Sequence, residues 1–298
     1  MIRVTFGAAK TKFMICAAAL ALSACATMYD SAPDANKLAA NEPAPNDLLN
    51  ATLWLQQAVE YKATTDSVYA LAHVRLDEAL NDPKWTALPD DQKPGYESLP
   101  TAIILDADET VLDNSPYQAM LVKTGQTYTD ASWTAWAGAG QARAVPGALA
   151  FTRAAAAKGV TVFYVTNRNV NVDEGTTRNL KELGFPVKDS INAVMTVGEK
   201  PEWTSKKGTR RAEIAENYRV LMLFGDNLGD FVDDYKGSPA ARQKVYVTNE
   251  GHWGRDWLVL PNPGYGSWES SAFGNDYSLT PGQQRARKLE QLKGWAPE

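Results

Sequence analysis

Asp106 and Asp108 stand two apart where an apolar run, Ala102-Ile103-Ile104-Leu105, gives way to polar residues. At the carboxyl edge of a strand, that step can offer one carboxylate to a substrate and turn the other to assist it. This suits an aspartyl nucleophile with a metal and an acid/base partner. Two more apolar runs end in the same manner. Residues 160–165 empty into Thr166-Asn167-Arg168, and residues 220–224 into Gly225-Asp226-Asn227-Leu228-Gly229-Asp230, with Lys206 and Lys207 on the approach to the latter. Four carboxylates converging without compensation repel one another, so an oxygen-preferring divalent cation is the natural neutraliser, Mg²⁺ before softer metals.

Positioning these groups requires strands whose ends meet. The runs at 102–105, 160–165 and 220–224 read as strands buried on both faces, and Lys244-Val245-Tyr246-Val247 reads as a fourth. Helix-compatible segments at 147–158, 173–183 and 209–217 lie between them, so the expected fold is α/β, a three-layer sandwich around a mostly parallel sheet. Ligands in such folds sit beyond the carboxyl ends of the strands, where the polar residues occur. Upstream, an apolar rhythm over 48–80 that includes Leu53, Tyr61, Val68, Leu71 and Leu76 predicts one or two helices, stopped by Pro83, Pro89, Pro94 and Pro100. His73 in that stretch lacks companions for catalysis or metal binding and reads as a packing residue.

The amino-terminal residues read as an export signal. Arg3, Lys10 and Lys12 precede an apolar core over 13–22 that is too short for a stable span, and Leu22-Ser23-Ala24-Cys25 closes it. The pattern resembles a bacterial lipoprotein signal: residues 1–24 would be removed and Cys25 lipidated. Ala26, where inner-membrane lipoproteins often carry Asp, implies the outer membrane facing the periplasm. Residues 25–45, rich in Ala, Pro, Asn and Asp, read as a lipidated tether. The chain's two cysteines are Cys16 and Cys25, so the body downstream has neither an internal disulfide nor a cysteine nucleophile. With 30 basic against 35 acidic residues and no basic block, the chain is poorly suited to nucleic-acid polymers.

The ordered motifs resemble those of the haloacid-dehalogenase-like phosphohydrolases: Asp-Ala-Asp-Glu-Thr first, Thr166 second, Lys207 third, and Gly225-Asp226-Asn227 with Asp230 fourth. More narrowly, the chain resembles the class B acid phosphatase group that includes outer-membrane lipoprotein phosphatases and 5'-nucleotidases. Asp-Glu-Thr-Val-Leu-Asp-Asn-Ser-Pro-Tyr, Arg143-Ala-Val-Pro-Gly147, Tyr-Val-Thr-Asn-Arg168 and Leu260-Pro-Asn-Pro-Gly-Tyr-Gly-Ser-Trp-Glu269 carry that likeness. The resemblance implies a helical segment over 46–100, a phosphohydrolase domain over 101–298 and a small helical, aromatic cap inserted at about 113–145. It implies that Asp106 attacks phosphorus and that Asp108 protonates the leaving oxygen and then activates water. Thr166 and Asn167 would hold the phosphoryl group, and Lys207 would offset its charge. Mg²⁺ would sit on Asp106, Asp108 through its backbone carbonyl, and Asp226, with Asp230 orienting the surroundings. Lys206 is the adjacent candidate; the Lys-x-x-Arg spacing to Arg210 selects Lys207.

Trp133 and Trp136 fall in the inserted segment, and Tyr265 and Trp268 form a second aromatic group. Such faces would stack on a base or aryl leaving group without reading its identity, and the resemblance places Trp133 and Tyr265 at that slot. Arg143 suits either a pocket or a loop-holding ion pair, and His252 lies in a loop compatible with either position. There is no Gly-x-Ser-x-Gly elbow and no P-loop glycine-lysine cradle. The expectation is therefore a Mg²⁺-dependent acid phosphatase acting on phosphomonoesters, nucleoside 5'-monophosphates among them. A homodimer is compatible with the chain but not required by it. The contrasting reading is a non-catalytic lipoprotein that binds an aromatic or haem-like ligand or a protein partner.

Overall fold

In the computed structural model, residues 46–296 are described; the expected export signal, the lipidation candidate Cys25 and the expected tether lie outside them. Three central strands form where the apolar runs occur: β1 (Thr101–Leu105), β4 (Thr161–Asn169) and β6 (Arg219–Gly225). With β5 (Val194–Val197) and β7 (Trp257–Val259) they make a wholly parallel sheet in the order β5-β4-β1-β6-β7. Side chains alternate between its faces. Ile103, Leu105, Val162, Tyr164 and Phe224 join one apolar cluster, and Ala102, Ile104, Phe163, Val165 and Leu223 the other. Helices cover both faces, giving the three-layer α/β sandwich. A register shift between β1 and β6 at Ala102/Ile103 places the consecutive Leu221 and Met222 in the same cluster.

Two helices, α1 (Leu49–Gln57) and α2 (Val59–Asn81), form over the amino-terminal rhythm. The buried stripe of α2 is Tyr61, Thr65, Tyr69, Ala72, Leu76 and Ala79, whereas Leu53 and Leu71 face solvent. Tyr69 packs on Phe151 and Phe224, and its hydroxyl donates to the Thr110 carbonyl at 2.7 Å, buttressing the loop that leaves β1. His73 packs edge-on against Phe151.

One expected strand is a helix. Residues 244–247 lie within α8 (Pro239–Thr248), and the strand completing the sheet is β7, ten residues downstream of Val247 at Trp257. Ser238 caps α8 by accepting from the Ala241 amide, and Pro239 occupies its first turn. The run Lys-Val-Tyr-Val alternates as a strand would, but Tyr246 and Val247 remain exposed; the helix-start signals outweigh four residues of alternation.

Between β1 and α5 (Ala148–Ala157) the chain rises into α3 (Ser115–Thr124) and α4 (Asp130–Ala139). A short antiparallel ladder, β2 (Leu112–Asp113) with β3 (Arg143–Ala144), closes the base of this excursion and pairs Asp113 with Arg143. The remaining helices are α6 (Asp173–Leu183), α7 (Gly208–Asn217), α9 (Ser267–Ala272) and α10 (Pro281–Glu290). Among the described residues, no helix is long and apolar enough to cross a membrane.

Candidate active site

The nucleophile candidate leaves the sheet in a tight turn. The Asp106 amide donates to the Phe224 carbonyl at 2.9 Å, so β6 holds the backbone of Asp106 one residue beyond the end of β1. Glu109 then takes a left-handed conformation, φ 55°, and its amide donates to the Leu112 carbonyl. A non-glycine residue seldom adopts that region without support. Here the buried Glu109 carboxyl accepts from the Asn114 amide at 2.9 Å, anchoring the turn from below.

The end of β6 and the start of α7 meet at Asp106. Lys207, buried at the start of α7, bonds to Asp106 Oδ1 and reaches Asp230 Oδ1 at 2.7 Å; Lys206 beside it is exposed. Asp226, at the end of β6, accepts from Asn262 Nδ2 at 2.7 Å. Asp230 also accepts the Asn227 amide at 2.9 Å through Oδ2, closing a one-turn capping box. A β-carbon on Gly225 would meet Asp230 Oδ2 at 2.2 Å, so glycine is what lets Asp230 lie flat against the strand end.

Charge in this corner is unbalanced. Burial pushes Asp106 up to about 7 against the opposing pull of Lys207, with Asp230 and Asp108 adding to the rise. Asp226 is raised well above the carboxylate range by burial and then by Asp230 and Asp106. Burial works against the Lys207 ammonium, yet Asp106 and Asp230 outweigh it and its pKa is raised. Oxygens of Asp106, Asp226 and Asp230 lie within 4.8 Å of one another. Three carboxylates against one ammonium form an all-oxygen, net-negative donor set, which fits a hard divalent cation. Both Asp230 oxygens are already engaged, so Asp106 and Asp226 are the side chains freer to ligate it.

The Asp108 side chain turns away from this cluster. Its Oδ1 accepts from Arg168 Nε at 3.0 Å and Nη2 at 2.8 Å, and from Asn114 Nδ2 at 2.8 Å. Thr166 lies within β4, three residues before its end, fully buried and not among the residues that line the cleft above Asp106; its hydroxyl accepts the Arg168 amide at 3.1 Å. Asn167 is exposed, and its side chain is spoken for: Nδ2 donates to the Ser205 carbonyl and Oδ1 accepts from Arg210 at 2.9 Å. Arg210 also donates to the Thr166 carbonyl, so one buried guanidinium ties β4 to the loop that delivers Lys207.

Asp106, Asp108, Lys207, Asp226 and Asp230 floor a cleft of about 1030 Å³. Trp133 and Tyr128 line it from the α3–α4 excursion, and Tyr265, Trp268, Phe273 and Tyr277 from the carboxyl-terminal segments. Trp133 packs edge-on against Tyr117, leaving its ring at the cleft; Tyr265 is half-buried, with its hydroxyl enclosed and, among the described residues, unpartnered. Arg143 is not in the cleft: it donates to Asp113 at 2.8 Å and holds the β2–β3 ladder. His252 is also absent from it, bonded to Asp256 and stacked on Trp257.

Arg168, Asn114, Asn262 and Arg210 received no site role from the sequence. Their longest-range side-chain bonds span 60, 54, 36 and 44 residues, respectively. The available signal was the arginine closing Tyr-Val-Thr-Asn-Arg: a cation at the end of a buried strand needs an anion nearby.

The family model for the HAD superfamily, subfamily IIIB (acid phosphatase), matches residues 10–268. A solved structure of the class C acid phosphatase from Bacillus anthracis with tungstate bound is 31% identical, with a TM-score of 0.74 over 84% of this chain and 98% of that one. A second structure of that enzyme gives a TM-score of 0.73 at the same identity and coverage. Two plant sequences are more distant: the stem 31 kDa glycoprotein of Glycine max, 24% identical over 45% of this chain and 53% of its own length, and acid phosphatase 1 of Solanum lycopersicum, 27% identical over 43% and 51%. The chain thus spans about half the length of the two plant relatives it matches. With the model matched over most of its length and the fold shared with the Bacillus enzyme, the chain belongs to the subfamily IIIB acid phosphatases of the HAD superfamily.

Proposed function

We propose that the protein is a Mg²⁺-dependent phosphomonoesterase that hydrolyses nucleoside 5'-monophosphates and related esters through a phosphoaspartate on Asp106. The observation that carries this reading is the Asp106–Lys207–Asp230 chain beside Asp226, set at the floor of an aromatic-walled cleft. The tungstate held by the Bacillus relative, a tetrahedral oxyanion of phosphate's shape, supports the same chemistry here.

Asp106 would attack phosphorus in line with the leaving oxygen, which Asp108 would protonate. Lys207 would hold a non-transferring phosphoryl oxygen, its ammonium acting as a point charge. Asp106 and the Asp108 carbonyl, with Asp226, would hold Mg²⁺, whose charge lets a phosphate dianion approach a carboxylate. Asp108 would then take a proton from the water that attacks the acyl phosphate. Trp133 and Tyr265 face the same cleft and would sandwich a base without reading it. A lipidated Cys25 would place this activity on the periplasmic face of the outer membrane, where nucleotides must lose their charge before uptake.

The test is phosphate release from AMP, NMN and p-nitrophenyl phosphate, with Mg²⁺ and with EDTA. Metal-dependent release favouring the nucleotides is expected. Comparable rates on all three would reduce the reading to a broad acid phosphatase, and no release from acid to neutral pH would overturn it. Intact mass of membrane-extracted protein tests the anchor; an unmodified Cys25 removes it.

A further inference from the structure

A general acid must present one particular oxygen to the leaving group, and the surroundings of Asp108 make that choice. All three donors on its carboxylate fall on Oδ1: two from Arg168 and one from Asn114. Among the described residues, no hydrogen bond falls on Oδ2. The donors are themselves fixed. Asn114 Oδ1 accepts from Trp136 Nε1 at 2.8 Å and from Arg168 Nη2 at 3.1 Å, while Arg168 Nη1 donates to Thr176 Oγ1 at 3.2 Å. The Arg168 side chain is 1% exposed, so water cannot replace what it loses if displaced. Its guanidinium also lies 5.6 Å from the centroid of the Trp133 ring, the aromatic wall above the floor.

We propose that Arg168, together with Asn114, is a positioning residue that clamps Oδ1 of Asp108 and so assigns proton exchange to Oδ2. This rests on the phosphoaspartate reading above. In the first step a P–O bond forms to Asp106 and the bond to the leaving oxygen breaks; the electron pair stays on that oxygen, which takes the proton from Oδ2. In the second step Oδ2 takes a proton from water as the water oxygen bonds to phosphorus. The P–O bond to Asp106 breaks and its electron pair restores the carboxylate. An arginine suits the clamp because its rigid fork delivers Nε and Nη2 to one oxygen while Nη1 and the other Nη2 proton reach further partners; a lysine ammonium cannot span that set. Because the same guanidinium underlies Trp133, a leaving group stacked on that ring rests on the group that aims the acid.

The experiment compares kcat and KM of wild type, Arg168→Met, Arg168→Lys, Asn114→Ala and Asp108→Asn on two phosphomonoesters: p-nitrophenyl phosphate, whose leaving group needs little protonation, and glycerol phosphate, whose leaving group needs it. General-acid assistance is worth about 10²–10⁴-fold. The expected result is that Arg168→Met loses about 10²-fold in kcat/KM on glycerol phosphate but only a few-fold on p-nitrophenyl phosphate; kcat/KM reports the leaving-group step alone, so the water-activating step that both substrates share does not enter. Arg168→Lys and Asn114→Ala should fall between. In the Asp108→Asn background, Arg168→Met should cost little more, since the two act as one unit. Equal losses in kcat/KM on both substrates, or losses that follow melting temperature across the four variants, would overturn the proposal and leave Arg168 a core ion-pair residue. If Asp108→Asn itself fails to discriminate between the substrates, the acid/base reading falls; if it discriminates and the Arg168 variants do not, the clamp alone falls.

Discussion

The floor and the walls of the cleft are built on opposite plans. The floor is made of strand ends: Asp106 beyond β1, Asn167 near the end of β4 and Asp226 beyond β6, with Lys207 delivered by α7, each side chain held by at least one hydrogen bond. The walls are made of helices and loops far apart in sequence, with Trp133 on α4 and Tyr265 and Trp268 after β7, and they carry the exposed aromatic surface. A parallel sheet buried on both faces fixes its strand ends to a fraction of an ångström, which suits groups that must meet a phosphorus atom. Stacking tolerates sliding, so it can be entrusted to elements with more freedom. Substitutions in the floor should therefore destroy turnover, and those in the walls should shift affinity.

The largest expected effect is Asp106→Asn. Phosphate release should fall by at least about 10³-fold, roughly 4 kcal/mol of barrier, in protein verified by mass not to have deamidated. Removal of a buried carboxylate raised to about 7 should also leave the metal-free variant at least as stable as wild type near pH 8. Retained Mg²⁺-dependent turnover would break the comparison at its strongest point.

Next is Gly225→Ala, which introduces no charge change at all. The new β-carbon would lie 2.2 Å from Asp230 Oδ2, so Asp230 must leave both the Asn227 amide and Lys207. Strain of this kind costs about 1–3 kcal/mol, and a misplaced lysine should lower kcat by about 10²-fold with a modest fall in melting temperature. The floor was readable from sequence for the same reason that it is rigid. Each strand end is a contiguous motif, so Asp106, Asn167 and Asp226 announce themselves within a few residues. What sequence could not show were the lateral ties. Arg168 meets Asp108 across 60 residues and Asn262 meets Asp226 across 36, and neither spacing has a period to read. The misplaced fourth strand has a related cause: Lys-Val-Tyr-Val satisfies the strand pattern locally, and only the capped start at Ser238 and the absence of any buried residue in α8 reveal a helix.

Metal and pH probe the charge balance of the floor. Asp106 has its pKa raised in the folded state, so between the ordinary carboxylate range and about 7 the native protein binds more protons than the unfolded chain. Stability from this group is therefore full at low pH and is lost as pH rises through about 7. Metal-stripped protein should melt progressively lower between pH 5 and pH 8, by a few °C for each kcal/mol lost. Mg²⁺ should raise the melting temperature more at pH 8 than at pH 5, because it binds the ionised form. A metal-free melting temperature that climbs over this range would show that the floor is not starved of positive charge.

The walls should answer to gentler changes. Trp133→Ala removes one stacking face, worth about 1–3 kcal/mol, so KM for AMP should rise about 5- to 150-fold while inhibition by inorganic phosphate, which needs only the floor, stays within about twofold. Tyr265→Phe is the finer probe. The Tyr265 hydroxyl is enclosed without a partner among the described residues, an arrangement that costs about 1–3 kcal/mol when no water reaches it. If the ring face alone serves the substrate, deleting the oxygen should leave KM within about twofold and raise the melting temperature slightly. A KM for AMP that rises with Tyr265→Phe while stability holds would mean that the bound nucleotide supplies the missing partner. The wall would then read the substrate by a hydrogen bond as well as by stacking, and the division between a specific floor and a permissive wall would have to be redrawn.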